Sequence, residues 1–359
     1  MNEKENSSEL SRGKLKWDFC PICGTKIPQI ENIQYCIKCG VDLQYINIHM
    51  RMPPRKSQSS KQLSSFGAPR LLKKRLNQDD LLNLKDKQLW GAGTSIGITA
   101  AAFFAMNLIS LGAVFIFIFL SGSIEEAYNA VANPYFIIFS SFIELVLLIV
   151  PLLYVGKHLE RPNISNRLII LGFTTKGYSK IQLLKEILLG LGFAVVGVLL
   201  VLFVSFVMEV LLSAIFGVSI VSELGGSPGE VDALILSSDV LSLVLLVIIM
   251  IVIIGTSEEV LFRGFLQKGL IRNLGKTWGI LLTALIFSSI HLIGVFLLPE
   301  SLTIFVISLL LNFFPYFAIS LLLGLLYSWR KENLIAVMIT HGVYNALTII
   351  LVFLVFNIF

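Results

Sequence analysis

Gly255-Thr-Ser-Glu258-Glu259-Val-Leu-Phe-Arg263-Gly264 closes an apolar run that begins near Val240, so two adjacent carboxylates stand in a stretch otherwise suited to a bilayer. A charged side chain at mid-bilayer costs about 2.5 to 3.5 kcal/mol or more, and intramembrane ionisable residues as a rule line a cavity or do chemistry. Helical spacing separates the two acids. Glu259 and Arg263 are four apart and share a face, whereas Glu258 is turned roughly 100° away. The expectation is that Arg263 holds Glu259, leaving Glu258 to face other helices.

The surrounding composition is that of a polytopic membrane protein. Of 359 residues, 55% are hydrophobic and 14% charged, which excludes an ordinary soluble domain. Sixteen of the 28 Lys and Arg fall in residues 1–91, and the other twelve in three short connections. The basic excess therefore reports membrane topology, and no nucleic-acid partner is expected. Met1–Lys16 is polar, with no short apolar run and cleavage site behind it, so a cleaved signal peptide is not expected.

Seven apolar stretches reach the ~20 residues a span needs: about 92–120, 134–156, 187–216, 239–262, 278–298, 303–327 and 334–358. The basic connections are 157–186, 263–276 and 328–333, and the intervening ones carry acids such as Glu125, Glu223, Asp232 and Glu300 but no Lys or Arg. The positive-inside rule then predicts a multi-pass protein with a cytoplasmic N-terminus and an extracytoplasmic C-terminus. The run from Arg167 to Lys180 is too polar to span and is read as interfacial. The expected fold is an all-α polytopic membrane protein of about seven transmembrane helices with a small N-terminal zinc ribbon.

The ribbon is read from Cys20-Pro-Ile-Cys23-Gly and Cys36-Ile-Lys-Cys39-Gly, two matched turns separated by twelve residues. Four thiolates so spaced suit structural zinc, with a pair of disulfides or a redox pair as the competing account. A cytoplasmic location would favour metal. Residues 1–16 are read as a flexible N-terminus, 17–48 as the ribbon and 49–91 as a basic linker too poor in apolar residues for a core. Residues 92–359 are read as the membrane domain. The linker's Arg70–Arg75 cluster is read as a solvated tether ahead of a contact with anionic lipid headgroups.

Further polar groups lie in the last spans. His291 ends Phe287-Ser-Ser-Ile-His291, and His341 and Asn345 stand four apart on one face of the seventh span. A single intramembrane His merely bonds a neighbouring helix in the plainer reading. One carboxylate, two imidazoles and an amide on three helices make a hydrolase-like set. Glu144, Glu209 and Asn312 are read as packing or interface residues ahead of cavity lining, because the sequence names no partner for them.

Glu-Glu-x-x-x-Arg, Phe-x-x-x-His and His-x-x-x-Asn, in this order on successive spans, resemble the motifs of the CAAX prenyl endopeptidase type 2 family. That family is also called the CPBP or Abi family, and it includes the Ras-converting enzyme and lysostaphin resistance protein A. The similarity covers about residues 167–358, including Leu171-Gly172-Phe173, and leaves the ribbon and the first span outside it. It implies an intramembrane endopeptidase cutting near the cytoplasmic membrane face. In that reading Glu258 activates a water that His291 helps to hold, and His341 and Asn345 stabilise the oxyanion. Glu259, Arg263 and Phe287 are supporting residues. The substrate implied is a peptide or protein, extending to prenylated Cys-aliphatic-aliphatic-X tails.

The physics is compatible with such a role. A positioned carboxylate sheltered from bulk water is a fitting general base, and donors fixed in a low-dielectric cavity stabilise an oxyanion strongly. Zinc held by Glu258, His291 and His341 is the alternative to a glutamate-type mechanism, although His-Glu-x-x-His is absent. A reading from a different class is a non-catalytic membrane scaffold whose ribbon recruits a cytoplasmic protein partner. At 1.5 Å per residue, Glu258 lies about 8 Å from Arg263 and His341 roughly 12 Å from Asn333, whereas His291 is about 20 Å from Trp278. The fifth helix is therefore expected to tilt or to start in the interface.

Overall fold

The structure is a computed structural model that describes residues 17–27, 35–36, 41–49, 89–121, 123, 125–126, 133–226, 235, 238–297 and 301–358. The expected flexible N-terminus, most of the expected linker with its Arg70–Arg75 cluster, and Cys39 lie outside those residues. The chain divides into two compact units, Met1–Lys74 and Arg75–Phe359.

In the first unit, antiparallel bridges join Phe19 to Lys26 and Tyr35 to Asp42 ahead of helix α1, Leu43–His49. Asp42 Oδ1 accepts from the Tyr45 amide at 2.8 Å, the bond expected of a carboxylate at a helix start. Leu43 is fully buried and packs with Ile27, Cys20 and Cys36 in a small core.

The second unit is helical: α2 (Ala92–Ser121), α3 (Pro134–His158), α4 (Ile164–Leu171), α5 (Lys180–Phe216), α6 (Val218–Gly226), α7 (Val240–His291), α8 (Ile293–Leu297), α9 (Leu302–Trp329) and α10 (Ile335–Ile358). Among the described residues, α2, α3, α5, α7, α9 and α10 are long and apolar enough to cross a membrane. α7 has 52 residues. That is about 78 Å at 1.5 Å per residue, more than twice the hydrocarbon thickness of a bilayer. Gly275, with φ 80° and ψ 169°, breaks it into two arms. The two arms correspond to the stretches expected as the fourth and fifth spans. This is an all-α polytopic membrane protein, and its outward face is apolar as a bilayer requires, with Phe104, Phe119, Phe139 and Leu302 exposed.

Local sequence explains the boundaries. α3 starts with Pro134 behind Asn133, whose side chain accepts from the Tyr135 amide. α5 starts at Lys180, earlier than expected, because Ser179 and Gln182 form a reciprocal capping box. The second arm of α7 stops at His291, short of the expected 298, so this histidine stands at a helix end rather than in mid-helix.

Two pairings position the site. Ile137 and Ile138 of α3 pack with Leu246 and Met250, Leu147 packs with Leu261, and the Tyr154 ring meets Phe265, so α3 and the first arm of α7 run side by side in one direction. α10 runs opposite to that arm, with Val337 beside Val260 and Ile349 beside Leu246. Between those contacts the two backbones touch. A Cβ on Gly342 would lie 2.6 Å from Ile251 Cα, and one on Gly255 2.7 Å from Gly342 Cα. Only glycine permits this approach, as at other close membrane-helix crossings.

One end of the bundle is held by polar groups. Lys268 Nζ donates to the Ile170 carbonyl at 3.0 Å and lies 3.3 Å from Glu332 Oε2. Asn333 donates to the Thr174 carbonyl at 2.9 Å, and Arg330 pairs with the buried Glu186. That hydrogen bond holds the Arg330 guanidinium above its usual pKa. The run read as interfacial contributes Ile169, Ile170 and Leu171 to the core beneath this end.

Candidate active site and metal cluster

The first arm of α7 is not a uniform α-helix. π-helical segments Met250–Ile254 and Val260–Gln267 flank the α-helical turn Gly255–Glu259. Such segments re-aim side chains and occur frequently at functional sites. Glu258, Glu259 and every residue of Val260–Gln267 are buried.

The two acids have different surroundings. Glu259 Oε1 accepts from Arg263 Nη1 at 2.7 Å, as their spacing predicts, and also from His341 Nδ1 at 2.6 Å. Arg263, itself fully buried, is fixed further by Nη2 donating to Ser320 Oγ at 2.9 Å. Because Nδ1 of His341 is turned to Glu259, its Nε2 faces Glu258 Oε2 at 3.5 Å. Glu258 Oε2 is buried and makes no hydrogen bond to any described residue.

His291 closes the other side. Its Nδ1 bonds the Phe287 carbonyl at 2.8 Å, turning Nε2 to Glu258 Oε1 at 3.9 Å. The ring is held between Phe287 and Tyr316, at centroid distances of 4.3 and 4.6 Å. Phe287 also lies under the Arg263 guanidinium at 5.0 Å and edge-on to Phe262 at 4.8 Å, so it walls the site. The structure thus brings Glu258, Glu259, Arg263, Phe287, His291 and His341 together. Asn345 is one turn beyond His341 on α10, half-buried, with no side-chain hydrogen bond among the described residues.

Sequence reading missed Ser320 and Tyr316. Nothing in the sequence singles out Ser320, one of three serines in α9, whereas Tyr316 follows Pro315 and is a polar-tipped residue within an apolar run. Of the other polar residues considered, Glu209 and Asn312 are exposed, and Asn312 bonds back to Ser308 of its own helix at 2.8 Å. Glu144 is half-buried and has a buried Oε2.

In the first unit, Cys20, Cys23 and Cys36 present sulfurs all within 4.8 Å of one another, the one such group of three metal-ligating atoms among the described residues. Cys23 Sγ and Cys36 Sγ are 3.6 Å apart. Two thiolates on a tetrahedral ion with bonds of about 2.3 Å stand about 3.8 Å apart, so this set fits a metal ion. Gly24, at φ 68°, lets its amide turn back to the Cys20 carbonyl at 2.9 Å.

Fold and site together define a multi-pass membrane protein with a buried carboxylate between two imidazoles. Residues 240–347, which include all seven membrane-site residues named above, match the family described as type II CAAX prenyl endopeptidase Rce1-like. No curated protein and no solved structure matches the chain.

Proposed function

We propose that the protein is an intramembrane endopeptidase in which Glu258 is the general base. The observation that carries this reading is the placing of the Glu258 carboxylate between His341 Nε2 at 3.5 Å and His291 Nε2 at 3.9 Å, inside the Rce1-like segment. Both gaps suit a water molecule held between carboxylate and imidazole. In the proposed step Glu258 takes a proton from that water, its oxygen adds to the scissile carbonyl, and the C–N bond breaks as the proton passes to the leaving amine. The Asn345 amide donates to the oxyanion, and so does His341 in its doubly protonated form, with Nδ1–H held by Glu259 and Nε2–H turned to the oxygen. Glu259 and Arg263 hold His341 in place, and Phe287 holds His291.

A glutamate-type mechanism is favoured over a catalytic zinc. Glu258, His291 and His341 do not gather three ligand atoms within 4.8 Å as the thiolates do, and an amide one helical turn from His341 suits an oxyanion better than a metal. The cysteine cluster is proposed to hold structural zinc, with Cys39 as the fourth ligand. The ribbon, residues 17–48, the linker, 49–91, and the membrane domain, 92–359, are proposed as separate parts. The distribution of basic connections supports a cytoplasmic N-terminus.

The family description makes a CAAX-type carboxy-terminal tail the first substrate to try. Purified protein is incubated with a farnesylated peptide ending in Cys-aliphatic-aliphatic-X and with its unlipidated twin, and products are read by mass spectrometry. Loss of the last three residues by wild type, and not by Glu258→Gln, is expected. Equal products from both proteins would overturn the reading.

A further inference from the structure

Glu144 of α3 is a third acid near this site, and the mechanism above makes no use of it. α3 and the first arm of α7 run in the same direction, with Leu147 packed on Leu261. Glu144 and Glu258 each precede that contact by three residues, about one turn, which sets both acids at one level between the two helices. In each, Oε2 is buried and without a hydrogen-bond partner among the described residues.

The charges around this level are few. α2 carries no ionisable residue at all, and Met106 covers the cluster from that side. α7 supplies Glu258, the Glu259–Arg263 pair and His291, α10 supplies His341, and α9 supplies Tyr316. Arg263 is committed to Glu259, so no lysine or arginine of these helices pairs with Glu144. Two carboxylates at one level of an apolar setting repel each other and have both lost hydration, and a single proton between them relieves both costs.

We propose that Glu144 is a positioning residue for Glu258: it keeps a proton that it shares with that carboxylate across one bridging water. The donated hydrogen bond fixes Glu258 Oε2 and leaves Oε1, on the His291 side, for the attacking water. This rests on Glu258 being the base.

The test uses full-length wild type, Glu144→Gln, Glu144→Leu and Glu258→Gln in detergent, with peptide kinetics, thermal unfolding and the infrared carbonyl band of protonated carboxyls. The amide of Glu144→Gln still donates and should keep kcat near the wild-type value. Leucine suits the span but cannot donate, so kcat should fall about ten- to a hundredfold, the size seen when a partner orienting a reacting group is removed, with KM and melting temperature unchanged. The infrared band should be present in wild type, absent from both Glu144 variants, and shifted in Glu258→Gln. A Glu144→Leu protein with wild-type kcat, a melting temperature that falls with it, or a band indifferent to Glu144 would each overturn the proposal. A wild type that shows the band pattern yet cleaves nothing would instead remove the reading of Glu258 as base and leave the shared proton standing.

Discussion

Glu259 Oε1 accepts two hydrogen bonds at once, from Arg263 Nη1 at 2.7 Å and from His341 Nδ1 at 2.6 Å, and so ties the buried cation of one helix to the imidazole of another. The pair sets His341's aim, since a ring whose Nδ1 is engaged presents Nε2 to whatever lies opposite. What lies opposite is Glu258.

Removing one member of that pair strands a buried charge. Glu259→Gln should therefore lower stability by about 3 to 5 kcal/mol, because Arg263 stays desolvated without its carboxylate. The double variant Glu259→Leu, Arg263→Met should recover most of that loss in thermal unfolding while peptide cleavage stays low, because leucine offers His341 Nδ1 no acceptor. Recovery of both together would contradict the positioning role.

Gly342→Ala tests the helix crossing. A Cβ there meets backbone rather than a movable side chain, 2.6 Å from Ile251 Cα, so α10 must move. Overpacking of this kind costs about 1 to 3 kcal/mol. A shift near 1 Å at His341 should lower kcat about a hundredfold. Unchanged kcat in Gly342→Ala would show that the crossing does not set the site.

Chelation separates the two candidate metal roles. Extraction of zinc, or Cys36→Ser, should remove stoichiometric zinc measured by elemental mass spectrometry and leave kcat on a peptide unchanged. Loss of cleavage on chelation from a chain truncated before Arg75, which lacks the ribbon, would put the metal at Glu258.

The start of α7 carries a pH signature. Asp239 accepts from the Ser242 amide at 2.7 Å and from the Tyr135 hydroxyl, and the Ser242 bonds, first the backbone one, hold its carboxyl below the usual carboxylate pKa. A lowered folded-state pKa contributes stability that is present above the ordinary value, about 4, and is lost as pH falls through the lower folded one. The melting-temperature difference between wild type and Asp239→Ala should thus be constant at neutral pH and shrink below about pH 4. A difference that grows on acidification would contradict this.

Much of this arrangement was legible in the sequence. The i, i+4 relation of Glu259 and Arg263, the isolated Glu258 and the Cys pairs follow from spacing alone, and the spans follow from hydropathy. Helix boundaries were less so, because α5 runs on through a charged stretch once Ser179 and Gln182 cap it, and α7 follows a break at Gly275 directly with a second helical arm. The His341–Glu259 bond and the Arg263–Ser320 bond join residues 82 and 57 positions apart, and no local pattern encodes either. Glu144 was read as a packing or interface residue for the same reason, since its neighbour belongs to another helix.

The most direct measurement compares kcat of wild type and Glu258→Gln on one peptide at saturation, in detergent, with both proteins shown by thermal unfolding to be folded. If Glu258 is the base, the amide variant should lose at least about a thousandfold. A Glu258→Gln protein that keeps kcat within about tenfold of wild type would contradict the account at its centre.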